Sequence, residues 1–280
     1  MLQRSTTYFV SRPDEDRVAL FLKKFLPKSL VYALIRFKNV YIQQSLFKRV
    51  RAFPDRSKKF LIDQVKKELP DFDVDKHFTP SYNPWEQRMC LIPNSDFFNA
   101  IKDKSATVVT DHIEAFEENG IKLKSGDFLE ADIIVTATGL VLQNFGGVNI
   151  SVNNNPVNVS ETMTYKSLMY SDIPNFVNSF GYINASWTLK ADLTSTYLCR
   201  LIKHMDQNNY LSACPKKPLD VDETYDWLKD FSSGYIQRSI GLHPQQGSKK
   251  PWVNYQDYIK DWFDVKFSKL EDGNLVFSKD

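Results

Sequence analysis

Glycine is scarce and unevenly placed: there are 10 in 280 residues, and the first is Gly120. A phosphate-cradling G-x-G-x-x-G loop, whose glycines let backbone N–H groups approach a pyrophosphate at a helix N-terminus, is therefore excluded from the first 119 residues, and no such pattern occurs later. Cysteine is rarer still. Cys90, Cys199 and Cys214 form no C-x-x-C pair and are odd in number, which excludes a disulfide framework or a zinc ribbon and predicts packed thiols in a reducing compartment. His77, His112, His204 and His243 are scattered without ligand spacing, so no metal site is expected. No stretch reaches the roughly 18 uninterrupted apolar residues of a membrane span. The N-terminus has no signal-peptide apolar run, and the expected location is cytoplasmic. There is no G-x-S-x-G nucleophile elbow, no nucleic-acid-binding motif and no internal repeat.

What is present suits a packed protein. Hydrophobic residues make up 42%, with 20 Phe, 13 Tyr and 5 Trp to fill a core or line a cleft. The net charge of +2 hides an asymmetry: from Arg17 to Lys67 there are 14 Lys/Arg against two acids, Asp55 and Asp63. Such a block suits phosphates or anionic lipid, as a peripheral membrane or other interaction module. The commoner reading, and the one favoured by pattern alone, is a helical region with a solvated basic face.

Residues 1–12 read as the end of a strand entering a loop. Val18 to about Val50 is helical in pattern, with Phe21, Phe25, Leu30, Leu34 and Phe37 recurring every three to five residues and Pro27 interrupting the run. A second helix is expected over Ser57–Glu68, closed by Pro70, then a proline-marked loop over 71–95. Asp96 is a plausible N-cap for a short helix through Ile101. Strands are expected at Thr107–Thr110, Ile113–Glu117, Ile121–Leu123 and Ile133–Thr136, with Asn119-Gly120 and Ser125-Gly126 as turns of a small meander. Asn153–Pro156 marks another turn. Asn175–Ile183 reads as a buried strand, and Leu189–Met205, Val221–Phe231 and Asn254–Phe263 as helices, with a loop at 244–250.

Four segments carry a resemblance. Asp132-Ile-Ile-Val-Thr-Ala-Thr-Gly139 is a β-branched run ending at a glycine. Upstream stands Tyr82-Asn-Pro-Trp-Glu-Gln-Arg-Met-Cys-Leu-Ile-Pro-Asn94. Downstream stand Thr162-Met-Thr-Tyr-Lys166 and Gly181-Tyr-Ile-Asn-Ala-Ser-Trp-Thr-Leu-Lys-Ala-Asp192. In this order and spacing they resemble the ethionamide-activating subgroup of the Baeyer–Villiger flavoprotein monooxygenases, from Leu2-Gln-Arg-Ser5 to Gln246–Trp252.

The resemblance implies an α/β fold. Residues 1–137 would be an incomplete Rossmann-like NADPH-binding domain with a helical insertion over 17–68, and residues 138–280 the C-terminal part of an FAD-binding domain plus tail helices. It implies FAD and NADPH as cofactors and O2 with a ketone or thioether as substrates: NADPH reduces the flavin, which traps O2 as a peroxide that attacks the substrate. Arg88 matches an arginine that holds anionic peroxide, although a loop arginine also commonly caps carbonyls. Arg4 would meet the 2′-phosphate of NADPH. Gln87, Thr138 and Gly139 would lie near the cofactors. Asn184, Ala185 and Ser186 would bring a helix start to the flavin edge, although an ordinary N-cap looks the same. Trp85 and Trp187 suit either a cleft or a core. The family's two glycine loops have no counterpart here, so the resemblance implies a chain that begins inside the NADPH domain, needs a missing N-terminal half, and binds neither cofactor alone.

Overall fold

The computed structural model describes residues 1–217, 224–225 and 231–280, which form two compact units, Met1–Gly139 and Leu140–Asp280. Both combine helices with small sheets, an α/β arrangement.

In the first unit Pro27 divides the basic helical run as its fixed φ requires, giving α1 (Arg17–Leu22) and α2 (Lys28–Ala52). Asp16 caps α1 by accepting from Val18 N and Ala19 N. Pro54 opens α3 (Pro54–Glu68), where a missing N–H costs nothing. The segment expected to be loop over 71–95 contains α4 (Val74–His77) and a strand. Four short strands make two parallel pairs: β1 (Leu2–Gln3) beside β4 (Val109–Thr110), and β2 (Phe9–Arg12) beside β3 (Cys90–Pro93). The N-cap position of α5 (Asp96–Lys102) is Ser95, in left-handed conformation and without a capping side-chain hydrogen bond, and not Asp96, which lies in the first turn. Phe9, Val65, Leu69, Val74, Phe78, Phe98, Ile101 and Val108 form the core that joins β2, α3, α4 and α5.

The expected meander forms with a different third strand: β5 (Ile113–Glu117), β6 (Gly120–Leu123) and β7 (Phe128–Glu130). Gly120 is required here, because a Cβ would collide with the Leu129 carbonyl of β7. The strand expected at Ile133–Thr136 does not form. The segment is extended and pairs with no strand among the described residues; Ile133 is 83% and Val135 85% exposed. Its β-branched composition favours a strand only where a neighbour supplies the ladder and covers a face.

In the second unit β8 (Ser151–Val152) and β9 (Asn155–Pro156) form a hairpin, with Asn153 and Asn154 supplying the two positive φ values of its turn. β10 (Thr164–Tyr165) pairs with β11 (Met169–Tyr170). Asn175–Ile183 is not a strand. Its backbone donors go instead to scattered single acceptors, Asn175 N to Ala213 O, Asn178 N to Leu168 O and Ile183 N to Gln256 Oε1. α6 (Trp187–Asn208) follows and ends at left-handed Asn209. β12 (Ser212–Pro215) pairs antiparallel with the terminal β15 (Leu275–Ser278). β13 (Thr224–Tyr225) pairs with β14 (Gln246–Gly247), replacing part of the expected 221–231 helix, the rest of which lies outside the described residues apart from Phe231. α7 (Gly234–Ser239) and α8 (Tyr258–Phe267) complete the unit, α8 capped by Asp257.

The cysteines depart from expectation: Cys214 is buried, but Cys90 and Cys199 are exposed. Among the described residues no helix is long and apolar enough to cross a membrane, and no group of side chains could hold a metal ion.

Candidate functional site

In the first unit the candidate residues sit on a loop that local sequence folds tightly. Asn83 N and Nδ2 donate to the two Glu86 carboxylate oxygens, each at 2.9 Å, and Glu86 N returns a bond to Asn83 O at 3.1 Å. This reciprocal pair closes the turn Asn83–Glu86. Two phenols pin the turn to the start of β2. The Tyr8 hydroxyl donates to Tyr82 O at 2.6 Å, and the Tyr82 hydroxyl donates to Thr7 Oγ1 at 3.0 Å. Burial raises both phenol pKa values, so both remain proton donors. Thr7 Oγ1 in turn donates to the Arg88 carbonyl at 3.3 Å.

Within this frame Trp85 has φ +70, a left-handed conformation that costs a bulky residue on the order of 1–3 kcal/mol. Its ring meets Phe47 of α2 edge-on at 5.5 Å, and its buried Nε1 has no acceptor among the described residues. Trp85 thus packs half-buried against α2. Three residues on, the Arg88 side chain is exposed, and its guanidinium has no partner among the described residues. Gln87 is half-buried beside it. The loop therefore spends its own hydrogen bonds on rigidity and leaves one cation free. Arg4 is also exposed, directly after β1, which Gln3 fixes by donating from Nε2 to His77 O at 2.7 Å and to Thr110 Oγ1 at 2.8 Å. Thr138 and Gly139 end the unpaired segment, exposed, with Gly139 at φ +124.

In the second unit the Gly181–Asp192 block folds as a loop entering α6. A Cβ at Gly181 would run into the Trp187 indole, so the glycine is what lets the ring fold back over the chain. Phe180 lies against the same ring at 5.1 Å. Asn184 is buried and donates from Nδ2 to Gln256 O at 3.1 Å; Ala185 is buried beside it. Only Ser186 of the three is exposed. It occupies the N-cap position of α6, but its hydroxyl pairs with Thr188 Oγ1 at 2.8 Å instead of capping the helix. The first turn of α6 thus keeps backbone N–H groups without a side-chain cap.

Sequence reasoning missed what holds this helix start in place. Lys190, one turn into α6, donates to Asp261 Oδ2 of α8 at 2.8 Å, with the two side chains 2% and 7% exposed. The Tyr182 hydroxyl donates to the same oxygen at 2.6 Å, and burial drives its pKa upward. A lysine inside an otherwise apolar helix face was the available signal; its partner, 71 residues away, was not. A cavity of about 270 Å³ nearby is lined by two ion pairs, Lys166 with Asp272 at 3.2 Å and Lys250 with Asp264 at 2.6 Å, and by the exposed Lys269.

No family model matches the chain. Individual proteins do. The FAD-containing monooxygenase EthA of Mycobacterium tuberculosis H37Rv is 45% identical over 281 residues, covering 100% of this chain and 57% of the relative. The probable FAD-binding monooxygenase AlmA of Acinetobacter baylyi is 41% identical over 281 residues, covering 100% and 56%. The chain therefore spans little more than half the length of these relatives. Among solved structures, an oxidised steroid monooxygenase bound to NADP superposes with a TM-score of 0.65 at 16% identity, over 100% of this chain and 62% of that one. OTEMO in complex with FAD and NADP gives 0.53 at 15% identity, over 79% and 44%. These two likenesses bear on the fold, and the sequence identities bear on ancestry. The chain is related along its whole length to the FAD-containing monooxygenases and corresponds to a C-terminal part of them.

Proposed function

We propose that this chain is the C-terminal part of an FAD- and NADPH-dependent monooxygenase of the Baeyer–Villiger type, which uses O2 to insert oxygen beside a ketone carbonyl or onto a thioether sulfur. In this reading the first unit is an incomplete Rossmann-like NADPH domain with a helical insertion, and the second is the C-terminal portion of an FAD domain. One observation carries the proposal: a loop cross-braced by Tyr8, Tyr82, Asn83, Glu86 and Thr7 ends in an arginine whose guanidinium is left unpaired among the described residues.

A cation fixed before the reaction needs no reorganisation when an anionic oxygen develops beside it, which is where charge stabilisation is worth most. Arg88 offers planar, permanently charged N–H donors for that role. Gln87 adds an adjacent amide. Arg4 would take the 2′-phosphate that distinguishes NADPH. Ser186 and the uncapped first turn of α6 fit the acceptor edge of a flavin ring, and buried Asn184 and Ala185 hold the entry to that turn. Thr138 and left-handed Gly139 lie where the chain passes from one unit to the other. FAD, when bound, supplies the redox chemistry that activates oxygen. The residues present fit a ring edge and anions. None supplies a pyrophosphate cradle, which in this reading comes from outside these 280 residues.

The test is a chimera that joins the N-terminal part of the 45%-identical mycobacterial relative to this chain. It is expected to bind flavin and to consume NADPH with a simple ketone. Arg88→Ala in that chimera should keep the visible flavin spectrum and lose oxygenation by about 10²–10³-fold. Unchanged turnover would remove Arg88 from the reaction.

A further inference from the structure

The helical periodicity that suggests a core-facing stripe on α2 marks instead a row of side chains facing solvent. Leu30, Leu34, Phe37 and Tyr41 advance by four, three and four residues, which aligns them on one side of the helix. All four are exposed, Phe37 by 73% and Tyr41 by 59%, and the two aromatic rings stack with centroids 6.4 Å apart. The buried valines of α2, Val31, Val40 and Val50, fall off this row. A second exposed aromatic pair lies just before it: Phe21 at the end of α1 and Phe25 in the turn that follows, rings 5.3 Å apart. The ion pair of Lys38 with Asp16 ties the α1 cap to α2, so these side chains ride on one braced element.

The charge around this surface has one sign. From Arg17 to Pro54 the sequence carries nine Lys/Arg and no acid. Lys23 and Lys24, within the first aromatic pair, and Lys28, at the start of α2, are exposed and make no ion pair among the described residues. Solvation alone accounts for exposed lysines but not for a row of exposed Leu, Phe and Tyr between them.

We propose that α1–α2 is a docking surface for an anionic lipid bilayer: Phe21, Phe25, Leu30, Leu34, Phe37 and Tyr41 enter the headgroup region while Lys23, Lys24 and Lys28 meet lipid phosphates and carboxylates. Charge complementarity selects this occupant. A second copy would oppose one acid-free basic face with another, which like-charge repulsion disfavours. Apolar side chains flanked by lysines are the pattern of interfacial helices that lie on a membrane without crossing it, and no helix among the described residues is long and apolar enough to cross. Docking of this kind is a property of the chain itself and does not depend on the redox reading above.

The experiment uses the full chain with sedimenting vesicles of phosphatidylcholine alone, or of phosphatidylcholine with about one quarter phosphatidylserine. Each protein is first checked by circular dichroism for its helical signal. The chain is expected to pellet with the mixed vesicles, to pellet little with neutral ones, and to be released at about 1 M salt, where the screening length falls to roughly 3 Å. Phe37→Ser with Tyr41→Ser, at exposed positions outside the core, should weaken the partition by about 10-fold or more. Lys23→Gln with Lys24→Gln and Lys28→Gln should weaken it by a similar factor on mixed vesicles. Leu91→Ser, an equally exposed apolar site away from the row, should leave it unchanged. Equal partition to both vesicle types, no partition by a helical chain, or indifference to both multiple variants would overturn the proposal. So would concentration-dependent dimerisation abolished by the Phe37/Tyr41 change, which would make a second copy the occupant.

Discussion

Lys190→Met isolates what holds the start of α6. The substitution keeps the apolar stem and removes the charge, so Asp261 is left 7% exposed with Tyr182 as its remaining donor. An isolated buried carboxylate costs far more than the pair returns when intact, and removing one partner of a buried pair costs about 3–5 kcal/mol. In a unit of this size each kcal/mol moves the melting temperature by roughly 3–4 °C, so the drop should be about 10–20 °C. Replacing Asp261 by Asn in the same chain removes the orphaned charge while keeping an acceptor for Tyr182. The double variant Lys190→Met/Asp261→Asn should therefore recover much of the loss, with a coupling on the order of 2 kcal/mol. Thermal melts followed by circular dichroism on the four proteins give the cycle directly. A Lys190→Met loss below about 1 kcal/mol, the size of an exposed ion pair, would refute the reasoning. So would a double variant whose loss is the sum of the singles, because the pair would then not be coupled.

Gly181→Ala should push the Trp187 ring out of place, cost about 1–3 kcal/mol, and shift the tryptophan fluorescence; an unchanged spectrum and melt would mean that the ring is not packed on Gly181. Lys102, followed by Ser95, holds the Glu68 carboxyl below its ordinary pKa, so the stability this contact adds is present above the ordinary carboxylate pKa and is lost as pH falls through the depressed value. Lys102→Ala should therefore flatten the acid side of the stability–pH curve of the first unit, and identical acid limbs in the two proteins would contradict this. The 280-residue chain mixed with excess FAD and desalted should emerge colourless and consume no NADPH with a ketone, because no segment of it offers a glycine-rich pyrophosphate loop; stoichiometric retained flavin would show that the half-site suffices.

Features whose causes are local were legible in the sequence. Pro27 breaks the helical run where its ring forbids continuation, Asn153 and Asn154 turn the chain as their tolerance of positive φ allows, and α6 follows its hydrophobic period. Features whose causes lie far along the chain were not. β3 is a strand because β2 runs beside it, yet its own residues sit among prolines and read as loop. The β-branched run at 133–136 shows the converse, strand composition with no neighbour to pair it. The candidate site divides in the same way. Tyr82, the Asn83–Glu86 turn and the arginine after it are visible as a motif, whereas the second bracing phenol, Tyr8, lies on the far side of four helices in the chain. The period of Leu30, Leu34, Phe37 and Tyr41 was equally plain, but periodicity reports which residues share a face and not which way that face looks.

The extended run before Gly139 also bears on how this chain behaves in solution. Ile133 and Val135 present bare side chains, and the backbone between them is paired to no strand among the described residues. An unpaired extended run with an apolar flank is a template for another extended segment, so self-association at high concentration is the expected outcome, checked by light scattering. A single lysine at position 135 would act as a gatekeeper, leaving the fold untouched because the side chain it replaces contributes nothing to a core.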